Sequence, residues 1–388
     1  HFNSTFVIGV ILMLIILAIQ HRGIASTAKS QKFMAMIVLV PLLLAGLMPI
    51  LNGSINWMNV SAIVPPTAAY SGVDGSWDIG GWTLILGALY IAAWSTYGFE
   101  TAVCYTAEFK NPKTDTFRAI FYSGLLCVVF FFVIPFAFQG VLGQEGMLAA
   151  GIVDGTGVGE ALGFMVGAGP LVAHLFVILM IMALFLAIMT AMAGSSRTLY
   201  QGARDGWLPK YLTHVNDHGA PTGAMWTDLG FNVILLALAS DATGYFYVLA
   251  ISNVGYILFN FLNLNAGWIH RIDSPHLPRP WKAPTFLIGL NTVLAFVNAL
   301  FLGAGAKVWG YSNALWSGLI FASFILPVFW YRHYIQDKGH FPREAMEDLG
   351  LSDHGDLGPR RAGFLPYLAL IAGAAVVLWA NWFFQLPA

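Results

Sequence analysis

The sequence predicts an all-α integral membrane protein with about ten membrane-spanning helices. Of the 388 residues, 58% are hydrophobic and only 10% are charged, whereas soluble domains carry about 25% charged residues. Apolar segments long enough to cross a bilayer recur along the chain, and the Lys and Arg residues between them fall in every second loop. These observations exclude a soluble domain.

Each predicted span is an apolar segment near the length of about 20 residues that a bilayer core requires. The spans are 4–20, 33–51, 82–107, 118–140, 167–195, 224–240, 245–268, 284–306, 311–331 and 364–384. We expect one membrane core over 1–331, a polar linker over 332–363 and an additional transmembrane helix within 364–388.

The basic residues predict the orientation of the chain. All Lys and Arg residues except Lys307 lie in the loops that follow the first, third, fifth, seventh and ninth spans. By the positive-inside rule these loops are cytoplasmic. We therefore expect a multi-pass protein of the plasma membrane (a bacterial inner membrane), and the regular alternation supports ten spans.

The third span has an unusual centre, with Gly98, Phe99 and Glu100 in succession. Glycine is a poor helix former, and a carboxylate at bilayer depth is costly unless it faces protein or water. One interpretation is a tolerated glycine beside a glutamate that bonds a neighbouring helix. We favour a discontinuous helix that borders a cavity, where unpaired backbone is allowed.

Such a break could hold both ends of a zwitterion. The helix before it would end with free carbonyls from Trp94 to Tyr97, which suit an ammonium group. The helix after it would begin near Thr101 with free N–H groups that suit a carboxylate. Two titratable groups are candidate proton carriers: Glu100 at the break, and His174, the only histidine well inside a span.

The basic side of the third span carries a candidate gate. Glu108 and Lys110 precede Pro112, which ends the helix. The loop 197–210 contains charged residues that could pair with Glu108 and close the inner mouth; they are Arg197, Arg204, Asp205 and Lys210. The alternative is a solvated basic loop.

Other chemistry has little support in the sequence. The formal net charge of −1 gives no reason to expect a nucleic-acid partner. No P-loop, zinc spacing or catalytic triad pattern is present, so we expect no enzyme, no cofactor and no metal site. Cys104 and Cys127 lie in apolar segments and are interpreted as small core residues. The expected surroundings are membrane lipids.

Two motifs resemble the amino acid–polyamine–organocation (APC) family of permeases. The first runs from Gly98-Phe99-Glu100 to Ala107-Glu108-Phe109-Lys110-Asn111-Pro112 and then Arg118-Ala119-Ile120. The second joins Ser196-Arg197-Thr198-Leu199-Tyr200 to Ala203-Arg204-Asp205-Gly206-Trp207-Leu208-Pro209. The helix pattern agrees with the family over nearly the whole chain.

The resemblance implies a five-plus-five inverted-repeat fold of the LeuT type. Residues 1–331 look like family helices 4–12, with the broken span as helix 6 and the spans 167–195 and 245–268 as helices 8 and 10. Family helices 1 to 3 have no counterpart. Either the native polypeptide is longer by roughly 90–110 residues, at about 20 residues per span plus loops, or the chain is a remnant that does not transport alone.

The resemblance also implies a substrate and its binding residues. The function would be secondary transport of amino acids or related amines, driven by protons or by exchange. Trp94 matches an aromatic gate and Glu100 a glutamate of gating and proton response, while the backbone near Trp94 and Tyr97 would accept the substrate ammonium. Helix counting adds three pocket positions, Thr190, Ala191 and Ser252.

Two rival functions stay open at this point. One is a non-transporting membrane scaffold subunit of a larger complex with permease ancestry. The other is a proton-translocating subunit of a respiratory complex, which is disfavoured because every Lys lies near a loop. A homodimer or a partner membrane subunit is compatible with the sequence.

Overall fold

The computed structural model of the protein describes residues 2–61, 76–153, 155–275, 277–308, 313–348 and 361–385. Within these ranges the side chains of nine residues are outside the description; they are Ile24, Ala25, Ser26, Phe99, Glu100, Val153, Ala242, Thr243 and Asp348. The described residues form helices and no strand. The predicted all-α membrane class is confirmed.

Each of the ten predicted spans contains a helix in its described residues. The helices are α1 (Ser4–Gln20), α2 (Ile24–Leu51), α3 (Ile79–Thr96) followed by a 3-10 helix (Phe99–Glu108), α4 (Pro112–Met147), α5 (Pro170–Arg204), α6 (Thr222–Leu238), α7 (Ala242–Asp273), α8 (Thr285–Gly305), α9 (Asn313–Ser323) continued by Ile325–Trp330 and the π-helix Tyr331–Gln336, and α10 (Leu365–Phe383). In the described part, eight spans are long and apolar enough to cross a membrane, while α1 and α6 are shorter apolar helices.

Short helices occupy the loops between the spans. They are Trp57–Ser61, Ala150–Val153, Val158–Met165, the 3-10 helix Lys210–Thr213, and Arg343–Asp348.

Local chemistry sets where several of the spans begin. The side chains of Asn3, Asp78 and Asp241 each accept a hydrogen bond from the backbone N–H three residues further on, which satisfies an N–H that has no helical partner. Pro112 and Pro170 stand at the first positions of α4 and α5, where the missing proline N–H costs nothing.

The spans pack mainly in two groups. One contains α1, α2, α4, α5 and α6, and the other contains α3, α7, α8, α9 and α10, with a contact between α6 and α7. The 3-10 helix packs on α4 and α5, whereas α3 packs on α8 and α7. The two halves of the third span therefore belong to different groups, and the chain crosses between the groups at the break.

The segment 332–363, predicted to be a linker, is fastened to the core where it is described. The last core helix continues as a π-helix to Gln336, beyond the predicted end at 331. Arg332 is buried, pairs with Asp337 and donates from Nη1 to the Leu208 carbonyl at 3.0 Å. Lys210 Nζ lies 2.8 Å from the Asp337 carboxylate. The loop after α5 is thus attached to the end of α9.

The charge of Asp337 is stabilised by its two partners. Burial alone would raise the pKa of its carboxyl, but hydrogen bonds from Lys210 and Arg332, together with their charges, hold the pKa below its usual value. Asp337 is therefore ionised at neutral pH, and both ion pairs persist.

Candidate functional site

The third span is broken at Tyr97 and Gly98. Tyr97 is extended (φ −74°, ψ 158°), and Gly98 is left-handed (φ 113°, ψ −19°). A Cβ at Gly98 would meet no atom within 4 Å, so the backbone angle, rather than a lack of space, favours glycine here. The discontinuity inferred from the sequence is present, inside one apolar stretch from Ile79 to Glu108.

Carbonyl groups at the C-terminal end of α3 accept more hydrogen bonds from the protein than the sequence predicted. The Trp94 carbonyl accepts a hydrogen bond from the Tyr97 N–H at 3.2 Å, and the Ala93 carbonyl accepts one from the Thr96 hydroxyl at 2.9 Å. The turn at the break thus occupies one of the two lone pairs of the Trp94 carbonyl, which the sequence-based expectation did not include. Trp94 itself is 39% exposed.

The helix after the break starts earlier than predicted and is of another type. It begins at Phe99 as a 3-10 helix and ends at Glu108, a length that is unusual for 3-10 structure and typical of a hinge. Its first hydrogen bond joins the Thr101 N–H to the Gly98 carbonyl at 3.0 Å. The N–H groups of Phe99 and Glu100 precede that bond, and their side chains lie outside the described part.

α7 holds the last turns of α3 in place. The fully buried Tyr90 donates its hydroxyl to the Ala250 carbonyl at 2.5 Å, and the amide of the buried Asn253 donates to the Tyr90 carbonyl at 2.6 Å. At the break, the Tyr97 ring stacks on Tyr256 with 4.0 Å between centroids. A polar Asn253 in an apolar run was the only sequence signal of this attachment.

α5 holds the other side of the break. A Cβ on Gly194 would lie 2.6 Å from Thr101 Cγ2, so only glycine allows this approach. One turn further along both helices, Cys104 Sγ lies 3.2 Å from Thr198 Oγ1. Contacts three residues apart on a 3-10 helix thus match contacts four residues apart on an α-helix.

A partly buried ion pair extends the contact between α5 and the 3-10 helix to the basic side. Arg197 Nε donates to both carboxylate oxygens of Glu108 at 3.2 and 3.1 Å. Arg197 Nη1 donates to the Ala193 carbonyl at 3.1 Å, and the guanidinium lies over the Tyr105 ring at 5.3 Å. The Arg197 side chain is 7% exposed and that of Glu108 30%, so the guanidinium is buried while the carboxylate is partly open to water.

The other residues of the predicted gate have different partners. Arg204 pairs with Glu344 of the short helix Arg343–Asp348 at 3.0 Å, and Asp205 accepts from Gln201 at 2.7 Å. Lys210 pairs with Asp337, as described above. Arg204 lies about two turns, or ~10 Å, beyond Arg197 along α5, which puts Arg204 out of reach of Glu108. The proposed pairing of Glu108 with these three residues is therefore wrong.

Lys110 makes no ion pair within the described residues and is exposed just past the end of the 3-10 helix.

Comparison with known families decides the identity of the fold. The family model described as "Amino acid permease" matches residues 2–329. The chain belongs to this family.

The permease is also similar to individual proteins. It is 27% identical over 262 residues to the branched-chain amino acid permease BcaP of Lactococcus lactis, which covers 66% of this chain and 50% of that protein. It is 25% identical over 241 residues to BcaP of Bacillus subtilis, covering 57% and 46%. It is 21% identical over 198 residues to mouse solute carrier family 7 member 12, covering 51% and 40%. The chain spans about half the length of the curated relatives it matches.

Among the three pocket positions in the permease, the hydroxyls of both Thr190 and Ser252 already make hydrogen bonds within the protein. Thr190 Oγ1 donates to the Leu186 carbonyl at 2.9 Å and accepts from the Gln31 amide at 3.2 Å. Ala191 is exposed on α5. Ser252 is exposed on α7, and its hydroxyl donates to the Leu249 carbonyl at 2.8 Å.

Helical spacing relates two of these positions to the break. Ser252 lies one turn before Tyr256, which stacks on Tyr97, and Thr190 lies one turn before Gly194, which contacts Thr101. Residues four apart share a helix face, so Ser252 and Thr190 lie on the faces that flank the break.

His174 lies far from the break. It stands near the start of α5, is exposed, and its Nδ1 lies 2.7 Å from the Pro170 carbonyl. Gly194, which contacts the 3-10 helix, is about 30 Å further along α5. A proton held by His174 would therefore be remote from the groups at the break.

Proposed function

We propose that the protein is a secondary active transporter for amino acids or related amines, and that its substrate binds at the break between α3 and the 3-10 helix. One observation carries the proposal: a single apolar span is interrupted by a left-handed glycine at the point where the chain crosses between two helix groups. Non-helical backbone at membrane depth is tolerated where it lines a cavity, and transporter sites use such breaks.

The ends of the break suit the two charges of an amino acid. The N–H groups of Phe99 and Glu100 and the positive end of the 3-10 helix dipole would receive the carboxylate. Since the Trp94 carbonyl is used, the ammonium would be met by the carbonyls of Ser95 and Thr96. Branched-chain amino acids are the first substrates to test, because two similar proteins carry that name.

The opening and coupling of the site are further parts of the proposal. The basic loops face the cytoplasm, and the Arg197–Glu108 pair closes the site on that side by fixing the 3-10 helix to α5. Transport is driven by protons or by exchange, with Glu100 as the carboxyl at the break. A homodimer or a partner membrane subunit would be compatible with this arrangement.

Replacing Trp94 with alanine tests the site. Trp94 lies one turn before Tyr97 and, as an exposed aromatic, would cover bound substrate. In liposomes containing the full-length protein, Trp94→Ala is expected to raise the KM for amino acid uptake about tenfold, the equivalent of ~1.4 kcal/mol of binding.

Leu89→Ala is the matched control, because Leu89 lies on the same helix with a similar exposure of 41%. This control should leave the KM unchanged. Equal KM values for the two variants would show that Trp94 is an ordinary membrane-facing aromatic residue without a role in substrate binding.

A further inference from the structure

α6 contains a buried carboxyl group that is not part of the proposed substrate site. Asp228 lies within the apolar helix Thr222–Leu238 and is 8% exposed. Its Oδ2 is buried and has no hydrogen-bond partner among the described residues. The neighbours of the carboxyl are polar but uncharged, namely Ser195 of α5 and Asn232 of α6.

Backbone carbonyls take part of the donor capacity of these two neighbours. The Ser195 hydroxyl donates to the Ala191 carbonyl at 2.9 Å, and the Asn232 amide donates to the Asp228 backbone carbonyl at 2.9 Å. The Ser195 oxygen retains a lone pair that can accept from a protonated carboxyl. An ionised carboxylate buried without a cation or enough donors is strongly disfavoured.

The charged groups on the surrounding elements are engaged elsewhere. α6 packs on α1, α5, α7 and the helix Lys210–Thr213. α1 has no charged residue, Arg197 and Arg204 of α5 pair with glutamates, and Lys210 pairs with Asp337. Other titratable groups near the ends of these elements include His21, Tyr211, His214, His218, Asp241, His270, Arg271 and Asp273.

We propose that Asp228 is a proton-binding site between α5 and α6. It holds a proton while the helices are packed as in this structure, and it gives that proton to water on the basic side when α5 moves. The inference rests on the proposed transport function for its purpose, since it names a second carboxyl that would carry a coupled proton.

α5 links this site to the ion pair on its other side. Ser195 faces Asp228, whereas Arg197 faces Glu108 of the 3-10 helix. Two residues on an α-helix are separated by about 200° around its axis, so the two contacts lie on opposite sides of one helix. A rotation of α5, or a slide along its axis, would therefore change the Arg197–Glu108 pair and the cover over Asp228 together.

Labelling with dicyclohexylcarbodiimide tests the site directly, because this apolar reagent reacts with protonated carboxyl groups in apolar surroundings. The full-length protein in liposomes would be treated at neutral pH, and the adducts located by peptide mass spectrometry. We expect several-fold more adduct at Asp228 than at Asp217, which is exposed in the loop before α6, and none at that position in Asp228→Asn. A yield at Asp228 no higher than at Asp217 would overturn the inference.

A transport measurement tests the role of the proton. Asp228→Asn keeps the shape of the side chain but cannot titrate, so its uptake should depend less on pH than that of the wild type. An unchanged pH profile would overturn the coupling role. The labelling needs no transport: failure of uptake with labelled Asp228 counts against the proposed function alone, and uptake with unlabelled Asp228 counts against this inference alone.

Discussion

Replacing Arg197 with alanine is expected to lower the free energy of unfolding by about 2 kcal/mol and to remove most of the transport activity. The change deletes the ion pair of the buried Arg197 guanidinium with Glu108, a hydrogen bond to the Ala193 carbonyl and a contact with the Tyr105 ring. Glu108 would then be left without its cation, and α5 would lose its brace on the 3-10 helix. Thermal unfolding in detergent and uptake into liposomes would measure the two effects.

Arg204→Ala is the matched control for this experiment. Arg204 also lies on α5 and also pairs with a glutamate, but its side chain is 41% exposed and that of Glu344 is 77% exposed. Exposed pairs contribute about 0–1 kcal/mol, so this variant should unfold close to the wild type. Similar losses for the two variants would show that burial of the Arg197 pair has no special role.

The close packing of α3 on α8 predicts the second large effect. A Cβ at Gly305 would lie 2.4 Å from Tyr90 Cβ and 2.7 Å from the Leu86 carbonyl oxygen. Because the second of these atoms belongs to the backbone, Gly305→Ala has to push α3 away from α8. We expect a loss of about 2 kcal/mol in stability and weaker substrate binding, since Tyr90 also fixes α3 to α7.

Gly289→Ala on the same helix controls for the helix propensity of alanine. No atom lies within 4 Å of a Cβ built at Gly289, so alanine there should be neutral or stabilise the helix by roughly 0.5 kcal/mol. If Gly305→Ala unfolds at the same temperature as Gly289→Ala, the packing of α3 on α8 is looser than described.

The sequence was sufficient to predict the membrane spans and the position of the break in the third span. Apolar length locates a membrane helix, and a glycine beside a glutamate at mid-span indicates a discontinuity. Arg197 and Glu108 were also candidates, because charged residues at the end of a span need partners. These features depend on composition within a short window, which the sequence displays directly.

The partners across the bundle could not be predicted. The bonds between Tyr90 and α7 join residues about 160 positions apart. Nothing in the sequence of either segment indicates that it contacts the other. Arg197 and Arg204 look equivalent in the sequence, yet only the first faces the 3-10 helix. Asp228 lies about one turn inside the predicted span 224–240, and its burial becomes evident only from the way α5 covers it.

Substrate uptake by a variant at the break tests the central claim most directly. Gly98→Ala places a side chain at φ 113°, a strained conformation for any residue except glycine, while Gly255→Ala in α7 adds a Cβ with no atom within 4 Å. With the full-length protein in liposomes, we predict saturable uptake of branched-chain amino acids by the wild type and Gly255→Ala, and a loss of most uptake in Gly98→Ala. Uptake by Gly98→Ala with the wild-type rate and KM would contradict a substrate site at this break.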